Sequence, residues 1–155
     1  MTSSWPFAGL DQVRRLRALA ASIPGAAVTE RVIDAPIDQV WSILADLEGA
    51  AGEILPDMKS VQMIRRDGDR VVALARSRYG MRARLSGVLR PGWCWLQGRF
   101  LLIGMAATSE PDGRTRVALT GGVRVPGRAA LVPIGVRREA RQALDRLDAY
   151  VDAER

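Results

Sequence analysis

The sequence predicts an α+β fold in which a curved antiparallel sheet of about seven strands surrounds a long C-terminal helix, with two short helices after the first strand and an extra N-terminal helix. Residues 58–125 fall into short runs of alternating apolar and polar side chains, broken at Asp67-Gly68, Tyr79-Gly80, Pro91-Gly92 and Pro111-Asp112-Gly113. Period-two alternation between turn dipeptides is the pattern of an antiparallel meander. Residues 133–153 instead place Val136, Ala140, Leu144, Leu147 and Val151 on one side of a helix, with arginines and acids on the other.

The elements follow in chain order. Leu10, Val13, Leu16, Ala20 and Ile23 recur at helical spacing and stop at Pro24-Gly25. Residues 1–26 therefore read as a helical appendage, either packed on the domain surface or closing over a cavity mouth. Residues 27–155 read as one domain, because a chain of 155 residues matches a single core and leaves no room for a second. Residues 28–34 are rich in β-branched side chains and predict a strand. Ala35-Pro36-Ile37-Asp38 then puts a proline at a first helical position and an acid in the first turn. Ile37, Val40, Trp41, Leu44 and Leu47 form one buried stripe, and a second short helix over residues 50–55 stops at Pro56.

Composition removes several function classes. Hydrophobic residues make up 48% and charged residues 26% of the chain, which fits a packed domain and neither a disordered nor a fibrous one. The most apolar stretch, residues 100–107, is far shorter than the roughly 18 to 20 residues that span a bilayer. Charges at Asp11, Arg14, Arg15 and Arg17 interrupt the region where a secretion signal would need an apolar run. Cys94 is the only cysteine, so no internal disulfide can form, in keeping with a reducing cytoplasm. The chain has no histidine, which removes the commonest general base and metal ligand together. No metal or cofactor is expected, histidine-based nucleophilic catalysis is out, and no glycine-rich phosphate loop occurs. Catalysis, if present, must use Arg, Tyr, Trp, Ser or carboxylates.

The net charge of +6 is concentrated in the middle of the chain, where residues 59–99 hold Lys59 and nine arginines against Asp67 and Asp69. A hairpin centred on Gly80 would set Arg78 opposite Arg82 and Arg76 opposite Arg84, all on one face. The other face then carries Ala73, Ala75, Tyr79, Met81, Ala83 and Leu85, which are mostly small. A thin apolar face must either meet the helix closely or line a pocket. Outward arginines would be solvated or would dock an acidic partner, with nucleic acid a disfavoured choice; a one-residue slip would turn them inward onto an anionic ligand. In the next strand Trp93, Trp95, Gln97 and Arg99 alternate with Cys94, Leu96, Gly98 and Phe100, and either face can look inward. Gly121-Gly122 suggests a bulge or bend.

The strand over residues 28–34 running into Ala35-Pro36-Ile37-Asp38-Gln39-Val40-Trp41-Ser42-Ile43-Leu44-Ala45-Asp46 resembles the opening of the START-like, polyketide cyclase/dehydrase and lipid-transport superfamily. The resemblance continues through Leu55-Pro56-Asp57-Met58, Pro111-Asp112-Gly113-Arg114-Thr115-Arg116-Val117 and the terminal helix, covering about residues 27–152. It implies a helix-grip fold with a hydrophobic tunnel for polyketides, lipids, sterols or similar aromatics. Some members are aromatase/cyclases that work by confinement with Arg and Tyr polarising carbonyls, and many others bind without reacting. The motif is structural and carries no catalytic residues across. The leading expectation is a cytoplasmic protein that binds a hydrophobic or aromatic small molecule at Trp41, Ala73, Ala75, Tyr79, Met81, Ala83, Leu85, Trp95 and Leu144. The alternative is a cyclase-type enzyme using Tyr79 or Arg99; a third class is an interaction module whose acidic partner meets Arg76, Arg78, Arg82 and Arg84.

Overall fold

Residues 11–54, 58–77, 82–99, 101–124, 131–132 and 136–154 are described by the computed structural model. They form α1 (Gln12–Ala21), β1 (Thr29–Ile33), α2 (Ile37–Ala45), α3 (Ala50–Ile54), β2 (Met58–Asp67), β3 (Arg70–Ser77), β4 (Arg82–Arg90), β5 (Trp93–Gln97), β6 (Leu101–Ser109), β7 (Thr115–Arg124), β8 (Leu131–Val132) and α4 (Val136–Ala153). One antiparallel sheet runs in the order β1-β7-β6-β5-β4-β3-β2, and the short β8, which the alternation pattern did not mark, pairs with the end of β7. The fold is α+β and of the helix-grip type, as predicted.

Local chemistry fixes most boundaries. Asp11 caps α1, its carboxylate accepting from the Arg14 backbone N–H at 2.8 Å. Pro36 is the N-cap of α2 rather than its first residue, one position earlier than the sequence suggested, with its carbonyl accepting from Val40 N–H at 3.1 Å. Gly68, Gly92 and Gly113 adopt positive φ in the turns after β2, β4 and β6, where the turn dipeptides required it.

One cross-strand row, Gly87–Leu96–Ile103–Gly121, has a glycine at each end. A Cβ on Gly87 would lie 1.8 Å from the Trp95 carbonyl oxygen, and one on Gly121 would lie 2.7 Å from that of Leu102. Only glycine lets the neighbouring backbones approach this closely.

Helices cover both faces. On the inner face α2, α3 and α4 close over a core that includes Val40, Leu44, Leu47, Ile54, Leu85, Leu96, Met105, Leu144 and Leu147. Arg31 fastens α4 to β1, donating to Asp145 at 2.7 Å and Asp148 at 3.2 Å. On the outer face α1 lies across β6 and β7 in a second, smaller cluster of Val13, Leu16, Trp93, Ala106 and Ala118. Leu16 reaches the sheet at Gly104, where any Cβ would stand 3.1 Å from its methyl group. The surface-packing reading of α1 is therefore the one realised; it does not close over the α4 side.

Candidate ligand-binding site

The strands of the β3–β4 hairpin pair Ala73 with Leu85, Ala75 with Ala83 and Arg76 with Arg82. The expected register set Arg76 opposite Arg84, so the real one differs by two residues. It sets each bulky inner side chain against a small one, Val71 against Gly87 and Leu85 against Ala73, which fills the inner layer without a clash. Because the difference is even, every side chain keeps its predicted face. Val71, Ala73, Ala75, Leu85 and Leu89 are buried inward, whereas Arg82 and Arg84 are exposed outward and Arg76 is half-exposed on that side.

Five of the predicted lining residues thus come together. Trp41, Ala73, Ala75, Leu85 and Leu144 belong to one interior cluster, and Ala83 packs against it while staying partly accessible. Trp95 does not join them. It lies on the outer face beside α1, its ring stacked on Trp93 at 6.4 Å between centroids and 13° between planes. Cys94 and Leu96 take the inward positions instead. The reason is α1, whose Leu16 needs an apolar partner on the outer face and finds it in the tryptophan row across Gly104. Arg99 is exposed in the turn between β5 and β6, on the rim rather than in the interior. Tyr79, Met81 and Arg78 lie outside the described residues.

The described interior is apolar apart from two hydrogen-bonded threonines. No charged side chain is buried among the described residues, and the two buried polar ones, Thr115 and Thr120, donate to the carbonyls of Ala35 and Ala27 at 2.7 and 2.8 Å. Cys94 is fully buried, and loss of hydration pushes its thiol up to about 12, so it holds no thiolate at neutral pH. No group of His, Cys, Asp or Glu among the described residues could hold a metal, and no helix there is long and apolar enough to cross a membrane.

Packing varies along this interior. Ala73, Ala75, Leu85, Leu144 and Leu147 are between 0% and 2% exposed, so the small side chains there are met closely by the opposing layer. Accessibility returns at Ile37, Ala45, Met63, Ala83, Leu101 and Tyr150, which are only partly buried against the same core. Of these, Ala83 and Leu101 stand together at the end of the sheet where β3 and β5 finish and β4 and β6 begin. Neither Leu101 nor Met63, which faces Ala73 from β2, was singled out from sequence; both sit in alternating runs at inward positions, and that alternation was the available signal.

No family model and no curated protein sequence matches this chain. Solved structures do. A protein from Thermus thermophilus is 21% identical with a TM-score of 0.59, the match covering 83% of this chain and 98% of that one. An aromatase/cyclase from a Streptomyces species is 19% identical with a TM-score of 0.58, covering 82% and 93%. A START superfamily protein from Mycobacterium smegmatis is 17% identical with a TM-score of 0.56, covering 84% and 99%.

Proposed function

Starting from a START-like helix-grip fold with an uncharged interior, we propose that this protein binds a hydrophobic or aromatic small molecule between sheet and terminal helix. The observation that carries the reading is the continuous apolar layer that is sealed at Ala73, Ala75 and Leu144 but accessible at Ala83 and Leu101. An apolar ligand entering at that end would be held by burial of its surface, at about 25 cal/mol per Å² removed from water. In this reading its first contacts are Ala83 and Leu101.

Native mass spectrometry of freshly purified protein tests the idea, together with titration of the neutral probe N-phenylnaphthylamine. A retained apolar mass, or a saturable signal competed by fatty acids or flat polyketides, supports it. A flat titration of folded protein with no retained mass overturns it. A cyclase-type activity is the second reading, favoured by the aromatase/cyclase among the structural neighbours and by Arg99 in the rim turn. Cyclisation of a linear polyketide thioester that disappears in Arg99→Gln would support it.

A further inference from the structure

The outer face of β2, β3 and β4 lies beyond α1, which covers β6 and β7. Cross-strand pairing brings Arg65, Arg70, Arg76, Arg82 and Arg84 to that face, with Asp67 as the carboxylate among them, and the half-buried Arg90 follows on the same side of β4 opposite Trp93. None of these arginines makes an ion pair among the described residues. Arg76 and Arg82 are directly opposed, an arrangement that repels and gains nothing within the chain. Between the charges an open groove of about 510 Å³ is lined by Arg65, Asp67, Arg70, Val72, Ser86 and Val88. Its valines are half-buried while Arg65, Arg70 and Ser86 are exposed, so apolar surface lies low and cationic groups stand above it.

From this arrangement we infer that the β2–β4 face docks an acidic protein segment, an amphipathic helix whose apolar side chains enter the groove while its carboxylates meet the surrounding arginines. The guanidinium groups supply paired donors that match carboxylates. A second copy of this chain does not fit, because a two-fold contact would bring the same arginines together. A bilayer is a poorer match, since the valines are recessed and Ile64 is the one large apolar side chain well exposed on these strands among the described residues. Single-stranded nucleic acid would need an accessible aromatic platform, and Trp93 and Trp95 are engaged with the α1 cluster. This surface stands on the opposite side of the sheet from the proposed ligand site and does not depend on it.

The test uses the full chain and a fluorescein-labelled helical peptide with Glu and Leu at alternating faces. Its controls are a sequence-scrambled isomer of equal charge, vesicles of one part phosphatidylserine to three parts phosphatidylcholine, and a thymidine oligonucleotide. The amphipathic peptide should bind more tightly than its scrambled isomer, with affinity falling as salt rises, because exposed charges are screened over about 10 Å at 0.1 M ionic strength. Arg70→Glu with Arg84→Glu should weaken it about tenfold or more, as should Ser86→Glu, which repels from the groove wall without removing an arginine. Arg141→Glu on an exposed position of α4, a larger charge change than that of Ser86→Glu, should leave it unchanged. The inference fails if the two peptides bind alike, if vesicles or oligonucleotide bind more tightly than the peptide, or if Arg141→Glu is as damaging as the face variants. It also fails if the face variants keep wild-type affinity with their far-UV spectrum and melting temperature intact.

Discussion

At one edge of the sheet the arginines are matched, and at the other they are not. Around β1 and β7, Arg17 is bonded to Glu30, Arg31 to Asp145 and Asp148, Arg114 to Asp112, and Arg116 to Glu110 and Glu30. On β2, β3 and β4, Arg65, Arg70, Arg76, Arg82 and Arg84 share a face with one carboxylate, Asp67. The first set ties elements together, α4 to β1 through Arg31 and α1 to β1 through Arg17. The second makes no ion pair among the described residues. Two surfaces of similar composition therefore do different work: the matched edge holds the helices on the sheet, and the unmatched face is left for something outside the molecule.

The comparison can be broken first at the matched side, where the helices should be indispensable. Leu144→Ala, at a fully buried position of α4, should cost about 2 to 5 kcal/mol by chemical denaturation. If it cost less than a surface substitution, α4 would not be part of the core. Gly104→Val drives a side chain into Thr120 first and then into Leu16 and Trp95, and should cost about 1 to 3 kcal/mol. A neutral result would mean that the outer face around Gly104 is not packed by α1 and the neighbouring strands.

Smaller effects separate the two charge patterns. The Arg17 guanidinium holds the Glu30 carboxyl below its ordinary value of 4.5. A depressed carboxylate contributes stability that is present above the ordinary value and lost as pH falls through the lowered one. The pair stands at the surface with Arg17 half-exposed, so solvent screens it, and Glu30→Gln should lower stability at pH 7 by less than about 1 kcal/mol and flatten the loss below pH 4.5. An unchanged acid limb in thermal melts at several pH values would remove Glu30 from the account. Arg76→Gln with Arg82→Gln should do the reverse of a normal arginine deletion and raise stability slightly, by about 0.2 to 1 kcal/mol, with the gain shrinking in high salt. A loss of stability would show that these arginines have partners within the fold.

The fold was legible because its signals are local and periodic. Turn dipeptides, period-two alternation and the α4 stripe of Ala140, Leu144, Leu147 and Val151 are each contained in one short window. Which residues of the Arg76–Arg84 hairpin share a face was legible too, since that depends only on parity, whereas which face looks inward was left open and the register depended on fitting Leu85 against Ala73 across two strands. Trp95 was not legible. Its face is decided by α1 crossing from far away in sequence, and an alternating strand with apolar residues on both sides offers no local choice between them. Gly104, isolated inside the run Leu101-Leu102-Ile103-Gly104-Met105, was the one mark that something would approach the backbone there. The ligand end is the least legible part, because a binding surface is defined by what the interior leaves unfilled, and no residue pattern records a volume.

Binding of two naphthalene probes, one neutral and one carrying a sulfonate, to three forms of the protein shows whether an apolar ligand sits between the sheet and α4. The forms are wild type, a variant with Arg76, Arg82 and Arg84 all changed to Gln, and Ala83→Trp, which fills the accessible end of the inner face. One neutral probe should bind each chain saturably, be retained in the arginine variant and be lost in Ala83→Trp, with any extra sulfonate binding confined to forms that keep the arginines. Neutral-probe binding that survives Ala83→Trp but disappears with the arginines would contradict this reading, placing the apolar site on the outer face and not between sheet and helix.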